Sequence, residues 1–275
     1  MDYFQAVILG IVEGLTEFLP VSSTGHLTIA EKLLGLEIDD PAVTAFTAVI
    51  QMGAIAAVVV YFFRDIWRIA RAWGVGLAKP ELRGTLDHRM GWYVIVGSIP
   101  IGIVGYLAKD LITGPLRSLW VVAIALILWS GVMLYAERRG RQTRSEKDLT
   151  MRDSVIIGLV QCIALVPGVS RSGATISTGL LVGLDRVTAT RMSFFLSIPA
   201  LVAAGLYELP DALSGDIGLG QTLVGTVVSF VVAYASIAWL LRFEAGNSIG
   251  KFVPYRVALG VVLLVLLGTG VMTPT

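Results

Sequence analysis

The feature that most constrains this chain is the length of its apolar runs. Six of them, at about 43–63, 91–108, 118–136, 188–207, 219–241 and 253–271, approach or reach the roughly 20 residues a helix needs to cross a hydrocarbon core. Composition agrees with the runs. The 275 residues are 55% hydrophobic and 15% charged, with a mean hydropathy of +0.79, too apolar for an ordinary soluble domain. A net charge of +1 gives no reason to expect a nucleic-acid partner. The single Cys162 rules out an internal disulfide. The first ten residues lack a basic region and a small-residue cleavage pattern, so they read as mature protein whose first hydrophobic helix serves as its own insertion signal.

Four further apolar stretches are shorter and pair around clusters of Gly, Ser and Pro: 3–19 with 25–36, and 154–166 with 173–184. Each pair reads as a re-entrant helix, loop and helix that enters and leaves by one face. The pairs match at a constant offset of 148 residues, which sets Gly10 on Gly158, Glu13 on Gln161, Ser22 on Ser170, Gly25 on Gly173 and Gly35 on Gly183. The chain is therefore expected to be a single all-α polytopic membrane domain over 1–275, made of two repeats, about 1–137 and 153–275, joined at 138–152. Three spans and one re-entrant pair per repeat turn the second repeat upside down, the inverted-repeat plan of membrane transporters.

Basic residues test that topology independently, because cytoplasmic loops carry an excess of them. Segments 64–89 and 138–152 are rich in Arg and Lys and fall on one side, together with Arg186, Arg191, Arg242, Lys251 and Arg256. Lys32, Lys109 and Arg117 fall on the other. The loop expected after Tyr207 carries Glu208, Asp211 and Asp216 but no basic residue. His88 lies in the basic cytoplasmic segment and reads as solvated.

This layout leaves Glu13, Glu17 and Arg171 as the formal charges at membrane depth, with His26 beside them. Intramembrane charge is costly and points to function by default; a plain structural ion pair between the repeats is the alternative. The i, i+4 spacing of Glu13 and Glu17 puts both carboxylates on one helical face. Around them Leu19-Pro20-Val21-Ser22-Ser23-Thr24-Gly25-His26 and Pro167-Gly168-Val169-Ser170-Arg171-Ser172-Gly173 repeat one device, a helix break followed by hydroxyl residues suited to cap the next helix. Two helix N-termini facing one another form an anion site, and Arg171 can grip two phosphate oxygens. Capping alone accounts for most of the hydroxyls. Two carboxylates beside an anion need either a divalent cation between them or a proton on one. His26 is open to three roles: nucleophile, general acid, or orienter of a serine. Gly168-Val169-Ser170-Arg171-Ser172 is no nucleophile elbow, since it lacks the final Gly and a preceding strand. The Gly10/Gly14 and Gly179/Gly183 spacings are explained by close helix packing.

At these residues the chain resembles the undecaprenyl-diphosphate phosphatase family, also called the bacitracin-resistance protein family. Glu13 to His26 and Pro167 to Thr175 match its two motifs, and length and span layout agree over nearly the whole chain. The resemblance implies a bacterial plasma-membrane enzyme that hydrolyses undecaprenyl diphosphate to the monophosphate and orthophosphate, recycling the carrier for cell-wall synthesis. It implies catalytic importance for Glu13, Glu17, Ser23, His26 and Arg171, and phosphate contacts for Ser22, Thr24, Ser170, Ser172 and Thr175. It also implies stimulation by a divalent cation, Mg or Ca, with Glu13 and Glu17 as metal ligands, and a site toward the outer leaflet. Partners are then the polyprenyl diphosphate and membrane lipids; a homo-oligomer is left open. The competing reading is a transporter or flippase of a phosphorylated polyprenyl lipid.

Overall fold

The computed structural model of the protein describes residues 1–38, 40–214 and 217–274; the side chains of residues 113, 208, 209 and 211–214 lie outside what is described. Twelve α-helices and no named strand occur among the described residues. In chain order they are α1 (Tyr3–Thr16), α2 (Ser23–Leu33), α3 (Pro41–Tyr61), α4 (Phe63–Ala78), α5 (Leu86–Leu107), α6 (Lys109–Thr113), α7 (Leu119–Arg139), α8 (Met151–Gln161), α9 (Arg171–Leu181), α10 (Arg186–Ser214), α11 (Leu219–Glu244) and α12 (Val253–Gly268). Helices α3, α5, α7, α10 and α11, and α12 with the turn before it, are long and apolar enough to cross a membrane. This is an all-α polytopic membrane protein.

Contacts at the helix ends sort the molecule into two ends. At one end Arg191 pairs with Asp65 at 3.1 Å and with Glu146 at 3.3 Å. The start of α10 thereby holds both basic segments, 64–89 and 138–152. Arg186 pairs with Glu137, and Thr190 donates to Glu244. At the other end Gln5 Nε2 donates to the Leu34 carbonyl at 3.2 Å, Arg117 pairs with Glu31 at 3.4 Å, and Leu119 N–H donates to the Pro274 carbonyl at 2.9 Å. Met1 packs against the cluster of Ala6, Leu9, Leu27, Phe46 and Ile50 there, and Pro274 lies on Leu119, so both chain ends share this end.

The two short pairs enter from opposite ends. Helix α1 starts and α2 finishes beside the chain ends, whereas α8 starts and α9 finishes where Arg144 bonds Asp153 at 2.6 Å and the Val182 carbonyl at 2.8 Å. Their local geometry is duplicated. Ser22 (φ 79°) and Ser170 (φ 76°) both occupy the left-handed region, as do Gly35 (73°) and Gly183 (96°) at the same offset. Glycine lets the half-helices seat deeply: α1 packs on α11 with Gly10 against the Gly225 carbonyl and Gly14 against the Ser229 carbonyl.

Four sequence expectations need correction. Segment 64–89 is not a plain loop, because α4 occupies most of it; its Ile69 is buried while Trp67 and Phe63 stay exposed, an amphipathic pattern too short and too charged to read as a span. Helix α10 runs on to Ser214, so Glu208 and Asp211 sit on helical backbone and not in a loop; Asp216 lies outside the described residues. His88 is not solvated: it is 4% exposed, packed under Gly76 with Nδ1 3.3 Å from the Ala72 carbonyl. Arg256 is not at a cytoplasmic surface. It is fully buried against both loop tips, which adds a charge at the depth assigned to Glu13, Glu17 and Arg171 alone.

Candidate active site

The short pairs meet tip to tip, and the contacts between them are specific. Ser22 Oγ caps its own helix by accepting from Gly25 N–H at 3.3 Å and also accepts from Gly168 N–H of the opposite loop at 3.0 Å. Ser170 Oγ caps α9 through Gly173 N–H at 3.1 Å. Ser172 Oγ donates across to the Leu19 carbonyl at 2.9 Å. An L-residue at positive φ is strained, and both tips carry one, each held by a cap bond.

Across this junction the two repeats exchange charge. Arg171 Nη2 donates to Glu17 Oε1 at 2.8 Å, and Ser23 Oγ donates to Glu17 Oε2 at 2.6 Å. Gln51 of α3 is a second donor to that oxygen, at 3.3 Å, and the third to the carboxylate. Arg171 Nη1 bonds the Ser193 carbonyl at 3.2 Å, which leaves its buried Nε without a partner. A cavity of about 270 Å³ opens over Glu17, Ser22, Ser23, Thr24, Ser170 and Arg171 and runs toward Glu31, Thr44 and Arg117 at the end that holds the chain termini. A second, mostly apolar cavity of about 420 Å³ between α5 and α10 also reaches Arg171; Lys109 stands over the Tyr207 ring at its far side.

Not every expected site residue faces that cavity. Glu13 is fully buried behind Glu17, and neither of its oxygens has a hydrogen-bond partner. Ser172 links the tips, and Thr175 Oγ1 bonds the Arg171 carbonyl at 2.8 Å and Ser193 Oγ at 2.7 Å, so both hydroxyls are committed inside the protein. His26 turns toward α12: its Nδ1 lies 2.7 Å from the Ser22 carbonyl and its Nε2 2.6 Å from Tyr255 Oη. A carbonyl can only accept, so Nδ1 carries the hydrogen and Nε2 accepts from the tyrosine. Tyr255 and Arg256, neighbours in the first turn of α12, escaped sequence reasoning because a Tyr-Arg pair at a span boundary looks like an interfacial anchor.

Whether these residues suit a divalent cation turns on Glu13. An ionised carboxylate buried with both oxygens unpartnered is strongly unfavourable, and two carboxylates plus substrate phosphates make an ordinary magnesium environment. Glu13 and Glu17 fit such an ion. No group of three or more acidic, His or Cys side chains suited to a metal occurs among the described residues; Glu13 does not line the cavity, and Glu17 already accepts from Arg171, Ser23 and Gln51, so the pair would hold a cation only together with oxygens from another source.

Fold and site together define a polytopic membrane protein with a charged, hydroxyl-rich junction between two opposed helix–loop–helix tips. Residues 6–262 match the family described as bacitracin resistance protein BacA, and the chain belongs to that family. Relatives include the undecaprenyl-diphosphatase 1 of Streptomyces coelicolor, 61% identical over 98% of this chain and 97% of that one. The undecaprenyl-diphosphatase 3 of Frankia casuarinae is 58% identical with 100% of both chains covered. The undecaprenyl-diphosphatase of Cutibacterium acnes is 54% identical over 99% of this chain and 100% of its own.

Proposed function

We propose that this chain hydrolyses undecaprenyl diphosphate to undecaprenyl phosphate and orthophosphate at the tip junction, recycling the lipid carrier for cell-wall synthesis and conferring bacitracin resistance. The observation that carries the reading is the Arg171–Glu17–Ser23 chain: a phosphate-binding cation, a proton acceptor and a hydroxyl joined in one line at a cavity whose wall mixes these groups with apolar side chains. Family membership supplies the substrate class.

The diphosphate enters the cradle with its terminal phosphate over Ser23, and the apolar cavity between α5 and α10 receives the first isoprene units. Arg171 and the N–H groups at the starts of α2 and α9 hold the phosphate oxygens. Ser23 Oγ forms the bond to the terminal phosphorus while its proton passes to Glu17 Oε2. The bond from that phosphorus to the bridging oxygen breaks, and undecaprenyl phosphate leaves with the electron pair. A phosphate monoester is a good leaving group and needs no acid. Water then attacks the phosphoserine phosphorus, the P–Oγ bond breaks as Ser23 Oγ takes its proton back from Glu17, and orthophosphate departs carrying both protons of the water. A divalent cation, Mg²⁺ or Ca²⁺, held by Glu13 and Glu17 supplies neutralisation of phosphate charge when bound.

The cavity runs toward the end that holds both chain termini. Since the basic segments lie at the other end, the positive-inside rule puts the cavity mouth on the outer leaflet of the bacterial plasma membrane. The test is phosphate release from undecaprenyl or farnesyl diphosphate by the purified protein in detergent, with and without chelator. Turnover that falls about 1,000-fold or more in Ser23→Ala, with a phosphoserine trapped in the wild type, is the expected result. Absence of turnover in the folded protein would leave a lipid transporter or flippase as the better reading.

A further inference from the structure

Arg256 is the largest fully buried side chain in the protein, and it has no carboxylate partner among the described residues. Its guanidinium is spent on backbone. Nη1 donates to the Pro20 carbonyl at 3.0 Å, Nη2 to the Gly168 and Val169 carbonyls at 2.8 and 3.2 Å, and Nε to Ser130 Oγ of α7 at 3.1 Å. Pro20 belongs to the first re-entrant loop, and Gly168 and Val169 belong to the second. One side chain from α12 therefore ties together two tips that lie 148 residues apart in sequence (Pro20 against Gly168), each two residues before the Ser that caps its helix.

Burying a charged guanidinium without a counter-ion is expensive, and a neutral side chain would cross-link nothing here. The cost is offset by saturating carbonyls that the two sharp loop breaks leave without helical partners. The same loop residues lead directly into the capping serines, whose Oγ atoms accept from Gly25 N–H and Gly173 N–H, so the carbonyls Arg256 holds are one or two residues from the caps. Pinning the oxygens thus fixes where the donors and Arg171 stand relative to Ser23. The planar fork matters, because an ammonium cannot span both loops from one position.

We infer that Arg256 is a positioning residue for the reaction, a clamp that sets the spacing of the two half-cradles and adds a fixed positive charge behind them. The inference rests on reading the tip junction as the phosphate site. It differs from a stability role in what it moves: Ser23 and Glu17 sit on one tip and Arg171 on the other, so loosening the clamp misaligns reacting groups more than it weakens lipid binding. A displacement on the order of 1 Å costs about 100-fold in rate.

The experiment measures kcat and KM for farnesyl diphosphate hydrolysis by full-length wild type, Arg256→Lys, Arg256→Ala and Ser130→Ala in detergent, with size-exclusion profiles and thermal midpoints. The expected outcome is a fall of about 30- to 100-fold in kcat for Arg256→Lys with KM within about 3-fold. Millimolar methylguanidinium should restore at least about 10-fold of the lost rate in Arg256→Ala and leave wild type unchanged. Ser130→Ala, which removes the Nε acceptor and a hydroxyl bond within α7 to the Leu126 carbonyl, should lose a few-fold in kcat and covers the case in which the Arg256 variants do not fold. Normal kcat in a folded Arg256→Lys overturns the inference. So does a loss confined to the thermal midpoint, a loss expressed wholly in KM, or, if neither Arg256 variant folds, unchanged kcat in Ser130→Ala. An inactive wild type instead overturns the phosphatase reading itself.

Discussion

At the scale of single residues the site divides labour between two glutamates one helical turn apart. Glu17 accepts from Arg171, Ser23 and Gln51, whereas Glu13 accepts from nothing and is fully buried. Glu17→Gln should therefore lose turnover by about 100-fold or more, the usual scale for a missing proton acceptor, and because Glu17 also stands among the proposed cation ligands, added metal should restore only part of that loss. Glu13→Gln should shift metal activation to higher concentration and regain rate as metal is added, by mass action. Phosphate release against metal concentration for both variants checks this, and identical metal curves would remove the metal role of Glu13. Arg171→Lys should cost roughly 10- to 150-fold, since one ammonium cannot hold Glu17, the Ser193 carbonyl and a phosphate oxygen together; near-normal turnover would reject the fork.

At the scale of elements, the two loop breaks were legible because Pro, Gly and hydroxyl residues each have a local mechanism. Pro ends a helix, Gly permits close approach, and Ser caps the next start. The repeat was visible for the same reason, and the matched positive φ of Ser22 and Ser170 shows the duplicated motif folding the same way twice. What stayed hidden depends on partners far off in sequence. Arg256 reads as one more basic residue at a span boundary until its acceptors, 88 and 236 residues away, are known. Likewise Thr175 looks like a phosphate contact until Ser193 takes its hydroxyl, and α4 looks like a loop because its basic residues mask an amphipathic helix. The cap geometry yields its own test. Ser22→Ala keeps the strained backbone and loses the hydroxyl that serves Gly25 and Gly168, so it should lose about 1 to 2 kcal/mol of stability; Ser22→Gly, which tolerates positive φ, should lose less. Thermal or denaturant midpoints in detergent decide the order, and an alanine variant as stable as the glycine variant would contradict the strain account.

At the scale of the whole molecule, the contacts sort the helix ends into two groups without reference to any membrane. Arg191 gathers segments 64–89 and 138–152 at one end, and Gln5, Arg117 and Leu119 gather both termini and the cavity mouth at the other. The proposed orientation rests on charge: short Lys- and Arg-rich segments next to membrane spans are found in excess on the cytoplasmic side. The inverted-repeat proposal then requires residue 142 to be cytoplasmic and both termini to be outside. With Cys162 replaced by Ser, a cysteine at Gln142 should resist an impermeant thiol reagent in intact cells and react after permeabilisation. A cysteine at Asp2, the exposed cap of α1, should react in intact cells. Reaction at position 142 after permeabilisation is what distinguishes true protection from an unreactive thiol, since Gln142 is half-buried whereas Asp2 is exposed. Labelling of position 142 from outside would invert the molecule, put the cavity mouth in the cytoplasm, and overturn the assignment of the site to the outer leaflet while leaving its chemistry intact.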